Sequence, residues 1–97
     1  PGIDAFFCAS DGIAIGAIDG MMQLGMQVPQ DVAVAGFDDF TVSKYIHGGI
    51  TSVKQYPYEM GVACANTVVS MIDGNRVPDW IPMEYKLMKR TSTKAKL

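Results

Sequence analysis

Histidine is nearly absent from this 97-residue chain, since His47 is the only one. A lone imidazole beside Gly48-Gly49 reads as a surface-loop residue, and no histidine-based metal set or catalytic triad can be assembled around it. Cysteine is almost as scarce. Cys8 and Cys64 stand 56 positions apart, one in an apolar strand-like run and one in a helix-like run. That spacing excludes a CxxC redox or metal motif and reads instead as two small buried hydrophobes. No apolar stretch reaches the eighteen residues of a membrane span, and no secretory leader is present, so a cytoplasmic protein with no membrane partner is expected. The start at Pro1-Gly2-Ile3 without methionine reads as a cut chain, which weakens the argument from the missing leader.

Positive charge is missing from most of the length. Up to position 85 only Lys44, Lys54 and Arg76 stand against all ten carboxylates, a body strongly repelled by phosphate. The other cations, Lys86, Lys89, Arg90, Lys94 and Lys96, fall within the last twelve positions and read as a short solvated basic tail. With no helix-turn-helix or zinc-finger spacing, these residues are not expected to bind DNA themselves. No nucleophile elbow, phosphate-cradling glycine loop or metal cluster stands out, so no catalytic residue, metal or cofactor is assigned.

What is present is a folding composition, 48% hydrophobic against 19% charged. A chain this short leaves much apolar surface exposed unless another segment or subunit covers it. Residues 4–9, Asp-Ala-Phe-Phe-Cys-Ala, form a continuous apolar run, predicting a central parallel strand buried on both faces. Asp11 is a candidate cap for a helix through Leu24, with Gly25 as its stop. After the Val28-Pro29-Gln30-Asp31 turn, Val32–Phe37 predicts a second buried strand, completing a crossover unit. A third strand is expected at Ile50–Lys54, then a helix from Pro57 to about Asp73 ended by Gly74, a loop at Val77–Trp80 and a last extended segment at Met83–Met88.

The first helix has only Asp19 and Gln23 as polar residues between Ile13 and Leu24, leaving almost no solvent face. Gly12, Gly16 and Gly20 fall on one stripe, suited to close backbone approach. Its outward side, assigned to Ile18, Met21 and Met22, is the expected self-association surface.

Ligand chemistry is sought where strands end, because open α/β sheets bind ligands at their carboxyl edge. Asp38-Asp39 follows the second strand directly, and a carboxylate there accepts hydroxyl hydrogens; the two neighbours point differently and need not share a role. Gln55 ends the third strand with an amide that both donates and accepts. Ser10 ends the first with a hydroxyl. Together Ser10, Asp38 and Gln55 suit a neutral, hydroxyl-rich ligand, although capping or solvation accounts for Ser10 and Gln55 equally well.

Four stretches then resemble the effector domain of the lactose-repressor and galactose-repressor family, in that family's order and approximate spacing. They are Asp-Ala-Phe-Phe-Cys-Ala-Ser-Asp-Gly-Ile-Ala-Ile-Gly-Ala at 4–17, Val-Pro-Gln-Asp-Val-Ala-Val-Ala-Gly-Phe-Asp-Asp at 28–39, Thr-Ser-Val-Lys-Gln at 51–55 and Met-Lys-Arg-Thr-Ser-Thr at 88–93. The resemblance implies an α/β fold, a partial open parallel-sheet sandwich of the periplasmic-binding-protein-like type. Residues 1–97 would be the C-terminal portion of the effector-binding domain, mainly its second subdomain, with about 82–97 as a return segment and basic tail. It also implies a small polar effector such as a sugar, a homodimer through the first helix, and operator DNA bound only by an N-terminal headpiece outside this chain. Asp38 falls on the family's aspartate after Gly-Phe, and Gln55 on a ligand-facing position. Ser10 replaces the more usual asparagine, and Asp11 resembles the family's capping aspartate. A transcriptional repressor's sensing portion is the leading reading; the alternatives are a fragment of an extracytoplasmic sugar-binding protein, a structural dimerisation module, or an enzyme.

Overall fold

The computed structural model describes residues 2–94. Its strands are β1 (Ala5–Phe7), β2 (Ala33–Phe37), β3 (Thr51–Gln55) and β4 (Tyr85–Met88), and its helices α1 (Asp11–Gln23) and α2 (Pro57–Ile72). Short 3-10 turns occupy Thr41–Lys44, Ile46–Gly48 and Thr91–Thr93. The strands form one sheet in the order β1-β2-β3-β4. β1 and β2 run parallel with Phe7 opposite Ala35, as do β2 and β3 with Phe37 opposite Val53. Parallel neighbours demand a crossover, which α1 supplies between β1 and β2. The chain divides into two compact units, one running to Lys54 and resuming at Lys86, the other Gln55–Tyr85.

In the first unit α1 begins at Ser10, whose extended backbone and hydroxyl cap the Ile13 amide at 3.2 Å. Ser10 therefore does what the sequence suggested for Asp11. Asp11 instead turns fully inward. The helix ends in a paired closure: the Met26 amide donates to the Met21 carbonyl and the Gly25 amide to that of Met22. Gly25 adopts φ +80°, which an L side chain disfavours, and so satisfies two carbonyls that would otherwise be orphaned. Ala14 and Ile18 of α1 bury against Val34 of β2, with Cys8, Val32 and Ile50 completing the core. Burial raises the pKa of the Cys8 thiol by desolvation, so this cysteine is the small buried hydrophobe expected.

β1 departs from expectation. It lies at the end of the strand order, and Phe6 and Phe7 are 42% and 69% exposed rather than covered. Among the described residues, β2 is the one strand that pairs with it. The glycine stripe of α1 is also open, since a methyl group placed on Gly16 or Gly20 would meet nothing among the described residues. Close backbone approach along that stripe is absent within the described residues.

The second unit is built on α2, started by Pro57 in its first turn and closed, as α1 is, by amides of Gly74 and Asn75 donating to the Met71 and Ser70 carbonyls. No residue of α2 is fully buried. Cys64 is exposed, correcting the expectation of a second buried thiol. It lines a shallow apolar groove with Met60, Val68, Ile81 and Met83. No described helix is long and apolar enough to cross a membrane.

Candidate functional site

The carboxyl end of β2 is organised around the buried side chain of Asp11. One carboxylate oxygen accepts from the Phe40 amide at 2.8 Å and from the Ser43 hydroxyl; the other accepts from the Ser52 hydroxyl at 2.7 Å. Ser43 and Ser52 are themselves fully buried. A carboxylate without water needs such donors to offset its lost hydration, and these come from two places along the chain, the Phe40–Ser43 turn and Ser52 of β3. The approach is made possible by Gly36 of β2. A β-carbon there would lie 2.2 Å from the Asp11 oxygen and 3.1 Å from its Cα. Gly36→Ala is accordingly expected to destabilise the fold by about 2 kcal/mol or more, the cost of overpacking against a side chain that cannot swing away. Thermal unfolding followed by circular dichroism measures it, with Gly16→Ala, at an open position, as the comparison.

Beyond Phe37 the chain turns through two successive residues with positive φ, Asp38 at +97° and Asp39 at +54°. Such conformations cost on the order of 1 kcal/mol each for a non-glycine residue and persist only when surrounding contacts hold them. Those contacts are present. The Asp38 amide donates to the Val53 carbonyl at 2.9 Å, the Asp39 amide to the Ser52 hydroxyl at 2.9 Å, and the Phe40 amide to Asp11. The Asp39 carboxylate meets the Arg90 guanidinium at 2.7 Å, with both side chains largely buried, at 6% and 12% exposure. This is a contact ion pair rather than an aligned hydrogen bond. Arg90 donates separately to the Ile50 carbonyl at 2.9 Å.

The segment after β4 completes the arrangement. Ser92, buried, accepts from the Thr51 amide at 2.8 Å and donates to the Val34 carbonyl. The Thr51 hydroxyl bridges the Arg90 backbone and the Thr93 hydroxyl, and Thr91 donates to the Gly48 carbonyl. Arg90 and its neighbours, expected in a solvated basic tail, thus pack onto β2 and β3. Lys89 and Lys94 flank a surface groove there, and Lys96 lies outside the described residues.

Of the residues singled out from sequence, Asp38 is exposed at the carboxyl end of β2. Ser10 is half-buried just past β1, its hydroxyl engaged at the helix start. Gln55 is half-buried as the last residue of β3. On α1, Met22 is 53% exposed, Met21 packs partly against the core, and Ile18 is 1% exposed. Ile18 therefore faces inward, because it stacks on β2, and drops out of the outward surface. His47 sits in a left-handed kink and contacts Asp19 at 2.8 Å, tying the β2–β3 connection to α1. Asp11, Ser52 and Arg90 were not singled out as parts of this site. The available signal was the run of three hydroxyl residues in Arg90-Thr91-Ser92-Thr93 and the mostly apolar segment that follows Asp11.

A parallel strand-helix-strand unit with a carboxylate turn at the end of its second strand is the open α/β arrangement that binds ligands at its carboxyl edge. Residues 1–93 match the family described as the periplasmic binding protein-like domain. The chain belongs to that family, in the form carried by lactose-repressor and galactose-repressor transcriptional regulators. It is 35% identical over 94 residues to the HTH-type transcriptional regulator RegA of Clostridium acetobutylicum, covering 95% of this chain and 28% of the relative. With CelR of Thermobifida fusca the identity is 39% over 93 residues, covering 95% and 27%. Among solved structures, a CelR–cellobiose complex superposes with a TM-score of 0.81 at 39% identity, covering 95% of this chain and 28% of that one. The Escherichia coli repressor ascG does so with 0.74 at 32% identity, covering 95% and 34%. The chain spans about a quarter to a third of the length of these relatives.

Proposed function

We propose that this chain is the effector-sensing portion of a transcriptional repressor and supplies one wall of a cleft that binds a sugar or related small polar ligand. The observation that carries the reading is the exposed Asp38 carboxylate at the carboxyl end of β2, in a chain similar to a regulator solved with cellobiose. Ser10 and Gln55 are proposed as further polar contacts to the same ligand. Operator DNA is assigned to an N-terminal headpiece outside these residues, and the protein is placed in the cytoplasm. A ligand alters DNA affinity only by binding two arrangements of the protein unequally, so the effector is expected to favour one of them. Titration of the full-length protein with a pentose, a hexose, a disaccharide, a nucleobase and a sugar phosphate tests the reading. Binding of one sugar that shifts operator affinity supports it, and binding of none overturns it.

The protein is further proposed to form a homodimer through the open side of α1. Ile13 and Leu24 are exposed on the stripe where Gly16 and Gly20 leave the helix backbone accessible, and Met22 is exposed on the other flank of the helix. Exposed apolar side chains on a helix favour a partner over water. Met22→Glu would force a charge into that contact and is expected to raise the dimer dissociation constant at least about tenfold. Sedimentation of the full-length protein reads this directly; an unchanged monomer fraction would remove α1 from the interface.

A further inference from the structure

Asp38 and Asp39 are chemically identical neighbours, yet the fold treats them oppositely. Asp38 is exposed. The Asp39 side chain is 6% exposed and its carboxylate is 2.7 Å from the Arg90 guanidinium. The Asp39 amide is held by Ser52, whose hydroxyl is in turn held by Asp11, and Asp11 also takes the next amide, that of Phe40. The two left-handed residues are therefore fixed from both sides, by the buried Asp11–Ser52 pair and by Arg90, a residue 51 positions further along the chain.

We infer that Asp39 is a positioning residue, not a ligand contact, and that Arg90 and Asp11 act through it to set the direction in which the Asp38 carboxylate is presented. This deepens the proposed function and rests on its assignment of Asp38 to the ligand. The physical reason is geometric. A strand that simply continued past Phe37 would alternate its side chains across the sheet, whereas two successive positive φ values reverse that alternation and turn the chain. Neither conformation is intrinsically preferred by aspartate, so the turn that carries Asp38 depends on the contacts that hold it, those of its successor among them. Arg90 suits that grip because one guanidinium nitrogen donates to the Ile50 carbonyl on the approach to β3 while the other stands in ion-pair contact with the Asp39 carboxylate. The segment after β4 is thereby linked to the ligand-bearing turn, and a change in its seating is transmitted to Asp38.

Amide hydrogen exchange on the full-length protein tests this without a ligand. Asp39→Asn and Arg90→Ala are each expected to speed exchange at the Asp39 and Phe40 amides at least tenfold. The Cys8 and Ala33 amides, which join β1 and β2, should be unchanged. Arg90→Lys, which keeps the charge but cannot span both acceptors as the fork does, is expected to fall between parent and Arg90→Ala. Equal acceleration at all four amides would mean a merely structural ion pair and would overturn the inference, as would no acceleration at 39 and 40. Should Arg90→Ala fail to fold, the Asp39→Asn and Arg90→Lys pair decides alone. Sugar titration of Asp38→Asn separately tests the ligand assignment, so a failure of one is distinguishable from a failure of the other.

Discussion

Asp11→Ala is expected to lower the unfolding free energy by at least about 3 kcal/mol, the largest stability effect of any single side chain at the site. The carboxylate receives hydrogens from the Phe40 amide and from the buried Ser43 and Ser52 hydroxyls. Hydrogen bonds to a charged group contribute roughly 1.5–3 kcal/mol each, and each donor left without an acceptor costs about 1–3 kcal/mol more. Those losses are not additive, because the serine hydroxyls rotate toward other acceptors, but the Phe40 amide cannot. At about 2–4 °C per kcal/mol for a domain of 150–250 residues, the melting temperature should fall on the order of 10 °C. Asp31→Ala is the comparison. Asp31 also caps backbone, accepting from the Gln27 amide at 2.7 Å, but in an exposed turn, where about 1 kcal/mol is expected. If differential scanning calorimetry gives the two variants the same melting temperature, Asp11 is not the hub its hydrogen bonds describe.

The same residue marks where sequence reasoning stops. Local grammar placed the elements well: Gly25 and Gly74 end their helices, Pro57 begins one, and the apolar runs become β2 and β3 within one residue of the expected bounds. Those signals act over a few positions and survive in the sequence. Ser10 and Asp11 are both good helix caps, however, and nothing local distinguishes them. What decides is a set of donors 29 to 41 positions away that takes Asp11 inward and leaves the cap to Ser10. Arg90 was misread for the same reason, because a guanidinium in a basic run looks solvated until Asp39 is brought beside it. β1 failed differently. Its hydrophobicity was legible, but hydrophobicity predicts burial without naming what covers the strand, and Phe6 and Phe7 are exposed among the described residues.

Asp38→Asn is expected to weaken effector binding by about tenfold to a hundredfold in the full-length protein, with little change in stability. The magnitude follows from the charge-assisted hydrogen bond a carboxylate makes to a sugar hydroxyl, roughly 1.5–3 kcal/mol, at about 1.4 kcal/mol per decade of affinity. Asparagine retains one acceptor and loses the charge, and its amide also tolerates positive φ, so the turn at 38–39 should survive the substitution. The backbone pairing of Asp38 to Val53 does not depend on the side chain and should survive the substitution. Ser10 needs different handling. Its hydroxyl caps α1, so Ser10→Ala would lose about 1 kcal/mol of stability regardless of any ligand, whereas glycine at a cap costs only a few tenths. Ser10→Gly is therefore the variant to set beside Asp38→Asn in isothermal titration with the sugar that the parent protein binds. Asp38→Asn should lose the greater affinity, since a hydroxyl already engaged at a helix start has less to offer a ligand than a carboxylate at the strand end. A larger loss for Ser10→Gly would transfer the principal contact to the end of β1, and unchanged affinity in both would place the effector away from these strand ends altogether.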